Sequence, residues 1–221
     1  MLNDENKYGR KENKGVISAG RMQMVSLPHI SIGTRLEYNV TRLVDGVTLR
    51  GKSITTILPD PVATKRSGRF VLRDVITIGG EVIEYSFLMS QASDGTLYCH
   101  GNSGQGSGRL VVNHRGGFYV YLRSPFIVGD HYSTNVTYDN NTSMRWQCSV
   151  EAVEQVKVPI GKMMAFRIVM SKQEDHRPLY GYTAWYSPEY GYPIKNVRSF
   201  GKQVYISELV RVTTEETLPE I

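Results

Sequence analysis

The chain of 221 residues has few cysteines, few tryptophans and no long apolar run. Its two cysteines form no CxxC pair and its five histidines show no HxH, HxxxH or HExxH spacing, so the sequence predicts no metal or cofactor site. No stretch approaches the ~20 apolar residues of a membrane-spanning helix. The 26 Lys and Arg residues are scattered among 21 Asp and Glu residues. Nucleic-acid binders concentrate their positive charge, and we therefore expect no nucleic-acid partner.

Tyrosine is the one residue type in excess, with 14 copies against 6 Phe and 2 Trp. A tyrosine ring packs well on a pleated surface while its hydroxyl stays in contact with water. The same property suits the wall of a ligand groove. Both interpretations favour a protein built from strands.

Alternation of apolar and polar residues predicts strands along most of the chain. From Thr34 onwards, Leu36, Tyr38 and Val40 share one face, and the turn signal Asp45-Gly46 follows. Further strands are predicted at 54–58, 69–78, 81–89, 97–99, 109–113, 118–122, 132–138, 144–150, 154–158, 164–170, 180–186, 192–198 and 203–212. We therefore predict an all-β fold, with one large, strongly curved antiparallel sheet that forms an open or half-closed barrel.

One folded domain is expected between two polar ends. Residues 1–27 are predicted to be a flexible polar arm, 28–213 a single antiparallel β domain, and 214–221 a frayed acidic tail. The first twenty residues lack the apolar core of a signal peptide. We therefore expect either a cytoplasmic protein or a chain that begins after a leader, which was removed or was left out when the start of the protein was assigned.

The two cysteines, Cys99 and Cys148, both lie in predicted strands. They form one disulfide if the chain is exported, or remain two buried thiols if it is not, and we favour the disulfide. His100 adjoins Cys99, but neighbours in a strand point to opposite faces, which argues against a cysteine nucleophile with that base.

Other candidates for catalysis are also poor. The pairs Glu81 and Glu84, and Glu151 and Glu154, are spaced so that neither pair shares a strand face. The glycine-rich segment 101–108 leads into a valine-rich strand, which is typical of a hairpin loop and not of a phosphate loop. No catalytic residue is predicted. A hydrolase that uses Cys99 or a histidine is the remote alternative to the two non-enzymatic hypotheses given below.

Two motifs in the second half of the chain carry a resemblance. Val156–Gly161 leads into an alternating strand, and the segment 184–195 reads Ala-Trp-Tyr-Ser-Pro-Glu-Tyr-Gly-Tyr-Pro-Ile-Lys. Trp185-Tyr186 ends a strand that proline stops, and Tyr192, Ile194 and Val197 restart the pattern. This order resembles a bacterial family of exported domains of unknown function, most specifically over residues 156–198.

The resemblance implies a half-closed antiparallel barrel, similar to lipoprotein-carrier folds, that works in the periplasm or at the cell surface. Such sheets bind a lipid-like or other apolar ligand, or an extended segment of an envelope protein, on the concave face. We expect this non-enzymatic role, with a scaffold whose core is filled by its own side chains as the alternative. Aromatic residues on predicted strands are the candidate ligand-binding residues: Tyr85, Phe87, Tyr119, Tyr121, Trp146, Trp185 and Tyr186.

Overall fold

The computed structural model describes residues 24–61, 68–103, 111–112, 118–137, 143–174 and 177–214. These residues form fifteen strands. In chain order they are β1 (Met24–Val25), β2 (Thr34–Val44), β3 (Val47–Pro59), β4 (Arg69–Ile78), β5 (Glu81–Gln91), β6 (Leu97–Ser103), β7 (Val111–Val112), β8 (Tyr119–Leu122), β9 (Phe126–Ile127), β10 (His131–Thr137), β11 (Ser143–Val158), β12 (Gly161–Glu174), β13 (Arg177–Tyr186), β14 (Pro193–Phe200) and β15 (Gln203–Thr214).

The strands build one main antiparallel sheet. Its order is β10-β11-β12-β13-β14-β15-β2-β3-β4-β5-β6-β7, with β8 also paired to β6. Nearly all neighbours in the sheet are neighbours in sequence, so short turns connect them. The sheet curls until its two ends approach each other, and it forms a barrel that is closed except for one seam. This confirms the all-β, half-closed barrel predicted from the alternation.

Alternation along each strand sets the inside and the outside of the barrel. In β2 the residues Leu36, Tyr38 and Val40 are buried while Arg35 and Asn39 are exposed, as predicted. The predicted strands 144–150 and 154–158 are one continuous strand, β11, with a bulge between Val150 and Ala152. A bulge adds one residue to a strand and so changes which residues face inward beyond it.

One end of the barrel is closed by residues from two separate segments. Strand β1 pairs with β9, and the amide of Leu27 donates to Oγ of Ser124 at 3.2 Å. Phe126 fills the interior there, with its ring 5.3 Å from that of Phe166 and 5.7 Å from that of Tyr186. Residues 24–27 therefore lie within the fold. The rest of the predicted arm, residues 1–23, lies outside the described residues.

The seam lies between β8 and the pair β10 and β11. Among the described residues, no backbone ladder joins β8 to β10. Side chains bridge it instead: the Tyr132 hydroxyl donates to the Tyr121 carbonyl at 3.2 Å and accepts from the Arg123 amide at 2.9 Å. Nε1 of Trp146 donates to the same carbonyl at 3.3 Å. A phenol and an indole thus replace backbone hydrogen bonds at the point where the sheet meets itself.

Removing the seam hydroxyl should destabilise the barrel. We expect Tyr132→Phe to lower the free energy of unfolding by about 1 to 3 kcal/mol, because it removes two hydrogen bonds across the seam, each of which contributes about 0.5 to 1.5 kcal/mol. The change in the free energy of unfolding is measured by urea unfolding, followed by circular dichroism.

The matched control is Tyr190→Phe, since the Tyr190 hydroxyl has no hydrogen-bond partner among the described residues. This control should change stability by less than about 0.5 kcal/mol. Equal effects of the two variants would show that the seam hydroxyl contributes nothing to closure.

Candidate binding cavity

A buried ion pair lies inside the barrel. Nη1 of Arg198, on β14, is 3.2 Å from Oδ2 of Asp74, on β4. The other oxygen of Asp74 accepts hydrogen bonds from the hydroxyls of Ser53 and Thr55. The guanidinium also lies over the ring of Tyr182, 5.7 Å from its centroid. The Asp74 side chain is 7% exposed and that of Arg198 22%.

This contact depends on the curl of the sheet. Three strands, β15, β2 and β3, lie between β14 and β4 in the sheet. In a flat sheet the two strands would be about 19 Å apart, because neighbouring strands are about 4.8 Å apart. A direct contact between Asp74 and Arg198 is therefore possible only across the interior of a strongly curved sheet.

Two cavities meet at Arg198. The smaller, about 100 Å³, lies towards the closed end and is lined by Ile30, Leu36, Asp74 and Asn196 among others. The larger cavity, about 370 Å³, lies towards the other end of the barrel. Its lining includes Lys172, Tyr180 and Phe200, which lie close to hairpin turns. Phe87, Tyr121 and Arg198 line both cavities. The interior is packed at one end and open to a ligand-sized space at the other.

The walls of the larger cavity are aromatic. The rings of Tyr121 and Trp146 stack with centroids 5.6 Å apart, and Tyr180 packs against Phe200 at 4.7 Å. Such rings offer large apolar contact areas, and tyrosines add hydroxyls at the edges. The arrangement suits a mainly apolar ligand with a polar group.

Six of the seven predicted ligand-binding aromatics line these cavities. Tyr186 lines the smaller cavity. The other five line the larger cavity: Tyr85, Phe87, Tyr119, Tyr121 and Trp146. The structure thus brings together residues from β5, β8, β11 and β13 that lie far apart in the sequence.

Trp185 does not belong to this group. It points to the outer face of the barrel, where its Nε1 donates to the Glu154 carboxylate and the ammonium of Lys195 lies 5.8 Å from its ring. Adjacent residues of a strand face opposite sides, so Trp185 and Tyr186 cannot both line the interior. For the same reason Val197, which was grouped with Tyr192 and Ile194 in the predicted strand, lies on the other face of β14.

The expectation that Glu151 and Glu154 do not share a face is wrong. Both contact the Arg167 guanidinium on the outside of the barrel, at 3.2 and 3.7 Å. The bulge after Val150 adds the residue that brings them to one face. The pair Glu81 and Glu84 behaves as expected, with each carboxylate bonded to a different arginine.

The polar centre of the interior, Asp74 and Arg198, was not predicted. A signal was present in the sequence, since Asp74 occupies the face that Phe70, Leu72, Ile76 and Ile78 share in β4. A single carboxylate on an apolar strand face predicts a buried polar partner. The identity of that partner does not follow from local sequence.

The two cysteines are buried thiols and no disulfide joins them. The thiol of Cys99 donates to the Gly101 carbonyl at 3.5 Å. The neighbouring His100 contacts Oγ of Ser90 at 2.8 Å, so the geometry does not aim this imidazole at the thiol. No group of three or more His, Cys, Asp or Glu side chains suited to a metal ion occurs within the described part of the chain. Of the glycine-rich segment 101–108, residues 104–108 lie outside that part.

Burial changes the acid–base behaviour of the interior. It raises the pKa of Tyr182 and Tyr186, that of Tyr192 to about 12, and that of the Cys148 thiol to about 11. Burial is the largest single influence on Arg198 and lowers its pKa, but the Asp74 carboxylate together with Tyr180, Tyr182 and Tyr121 raises the pKa of the guanidinium above its ordinary value. The guanidinium of this buried pair thus keeps its charge at every pH at which the protein is folded.

Comparison with known proteins identifies a fold and no family. No protein-family model matches the chain, and no curated protein matches it. A beta-barrel-like protein of domain of unknown function DUF1849 from Brucella abortus matches 87% of this chain and 100% of its own, with a TM-score of 0.50 and 12% identity. This likeness shows the shared barrel-like fold, in agreement with the half-closed barrel that the sequence resemblance implied.

Two further solved structures are less similar. A protein described as exported, with a YmcC-like fold, from Bacteroides fragilis matches 86% of this chain and 100% of its own, with a TM-score of 0.44 and 12% identity. The hypothetical lipoprotein YmcC from Escherichia coli matches 86% of this chain and 92% of its own, with a TM-score of 0.36 and 8% identity. In the described residues of the present chain, no helix has the length and apolar character required to cross a bilayer.

Raising the pH should destabilise the barrel. Unfolded thiols and phenols ionise at their ordinary pKa, whereas Cys148 and Tyr192 in the fold hold their protons to about pH 11 and 12. The unfolded state then binds fewer protons, so the free energy of unfolding falls as the pH rises above about 9. Phenolate absorbance should rise together with loss of the β-sheet circular dichroism signal.

Protein unfolded in urea is the control, and its tyrosines should titrate near their ordinary pKa of ~10. If the native protein shows the same phenolate curve while its circular dichroism stays unchanged, the tyrosines are accessible in the fold and this description of the interior is wrong.

Proposed function

We propose that the protein binds an elongated, mainly apolar ligand in the interior of the barrel and has no catalytic role. The observation that supports this most directly is the cavity of about 370 Å³ beside an otherwise packed core. Its volume lies within the range of about 300 to 1,000 Å³ that small-molecule sites occupy. A scaffold whose side chains fill its own interior does not need such a space.

The distribution of side chains also favours a ligand. The closed end holds Phe126, Phe166 and Ile194, which are at most 1% exposed. Around the larger cavity, Tyr85, Phe87 and Tyr121 are only half-buried although they face inward. Aromatic side chains that face the interior without complete burial have surface left for an apolar partner.

The mass of the intact protein tests this proposal. Native mass spectrometry of the protein purified from bacteria without organic extraction should show an added mass, and extraction should remove it. Asn102→Phe places a ring in the larger cavity, which Asn102 lines, and should abolish the adduct. Asn39→Phe puts the same ring on the exposed outer face of β2, and this variant should retain the added mass.

Absence of any adduct, together with unchanged stability of Asn102→Phe, would contradict ligand binding and favour the self-filled scaffold. Equal added masses in the two variants would place the ligand outside the cavity. This result would also contradict ligand binding in the interior and favour the self-filled scaffold.

The proposal places this activity in the bacterial envelope, in the periplasm or at the cell surface. The support is the resemblance of residues 156–198 to a family of exported domains. Release of the native protein by osmotic shock or its labelling on intact cells is the expected result. Recovery only with cytoplasmic markers would contradict this location.

A further inference from the structure

The charged residues of the larger cavity all have one sign. Arg198 and Lys172 are both part of its lining, and no Asp or Glu is among the described residues that line it. Asp74 lines only the smaller cavity, on the other side of Arg198. The charged groups that line this cavity are therefore cations, which favours an anionic group in a ligand.

Arg198 has donors left for such an anion. Its one hydrogen-bond partner in the described part of the chain is Asp74, through Nη1. Its Nε is buried and has no partner. Since a guanidinium carries five N–H donors in a fixed plane, most of them point away from Asp74. Carboxylate and phosphate oxygens match this fork, and such charge-assisted hydrogen bonds are the strong ones.

The Asp74 carboxylate does not occupy all the hydrogen-bond donors of Arg198. Its oxygens accept from Ser53, Thr55 and Arg198. It thus holds the guanidinium in position from the side of the smaller cavity and leaves the other side available. At the boundary between the two cavities, the guanidinium is thus the member of the pair that the larger cavity contacts, and the carboxylate contacts only the smaller one.

We propose that the ligand is an anionic amphiphile, an acyl or alkyl chain that lies along the aromatic wall and ends in a carboxylate or phosphate bound by Arg198, with Lys172 as the second cation. This rests on the proposed function and specifies its ligand class. The aromatic residues Phe87, Tyr121 and Trp146 contact the chain, and the guanidinium binds the head group.

Ligands that share one chain and differ only in the head group test the proposal. The probes are decanoate, decyl phosphate, methyl decanoate and decyltrimethylammonium, each titrated into the delipidated full-length protein. A Trp185→Phe background makes Trp146, in the cavity wall, the only tryptophan and the fluorescent reporter. We expect decanoate or decyl phosphate to bind at least about tenfold more tightly than methyl decanoate, and the cation to bind most weakly. The tighter of the two anions identifies the head group.

Variants assign this preference to Arg198. The double variant Asp74→Asn with Arg198→Met removes both buried charges and should bring the affinities of anion and ester to within about threefold of each other. Arg211→Gln, on the exposed part of β15, is the matched control and should keep the tenfold preference. Thermal unfolding checks that each variant folds. If the double variant does not fold, Lys172→Met is used instead and should reduce the preference several-fold.

The outcomes separate this inference from the proposed function. If all four probes bind equally, the cavity takes apolar chains and the anionic ligand class is wrong. Tightest binding of the cation, or full anion preference in both the double variant and Lys172→Met, would also overturn it. If no probe binds, both the ligand class and the proposed function fail.

Discussion

The contact between Asp74 and Arg198 is the constraint on which the interior of this protein depends. Burying two charges is costly, and their attraction compensates only when geometry and additional hydrogen bonds are good. Here the carboxylate is satisfied by Ser53, Thr55 and Arg198. Because the two strands involved are four positions apart in the sheet, the pair is compatible with a curled sheet and incompatible with a flat one.

The barrel divides into an end that provides stability and an end that provides space. At the closed end, the segment around Leu27 and Phe126 packs on the interior and makes hydrogen bonds to the loop at Ser124. Towards the other end the walls stand apart and leave the larger cavity. The seam is closed by the side chains of Tyr132 and Trp146. Trp146 therefore contributes both to closure and to the cavity wall, so closure and the shape of the site are linked.

The strands and the inward-facing aromatics could be predicted because alternation is a local property. Phe87 and Tyr121 were both assigned to the concave face, although they lie in different strands, β5 and β8. Trp185 was misassigned because its aromatic character was weighed above its position next to Tyr186, which alternation places on the opposite face. The bulge that brings Glu151 to the face of Glu154 has no clear local signal. Asp74 was recognisable as a polar residue on an apolar face, but its partner is 124 residues away and only the curl of the sheet brings the two together.

A double-mutant cycle on the buried pair tests the central claim most directly. The free energies of unfolding of the wild type, Asp74→Asn, Arg198→Met and the double variant are measured in urea. Each single variant should lose about 3 to 5 kcal/mol, because it leaves a buried group without its partner, and the double variant should lose far less than the sum of the two. Additive losses, or losses below about 1 kcal/mol in the single variants, would show that the two side chains are not coupled, and the proposed organisation of the interior would be wrong.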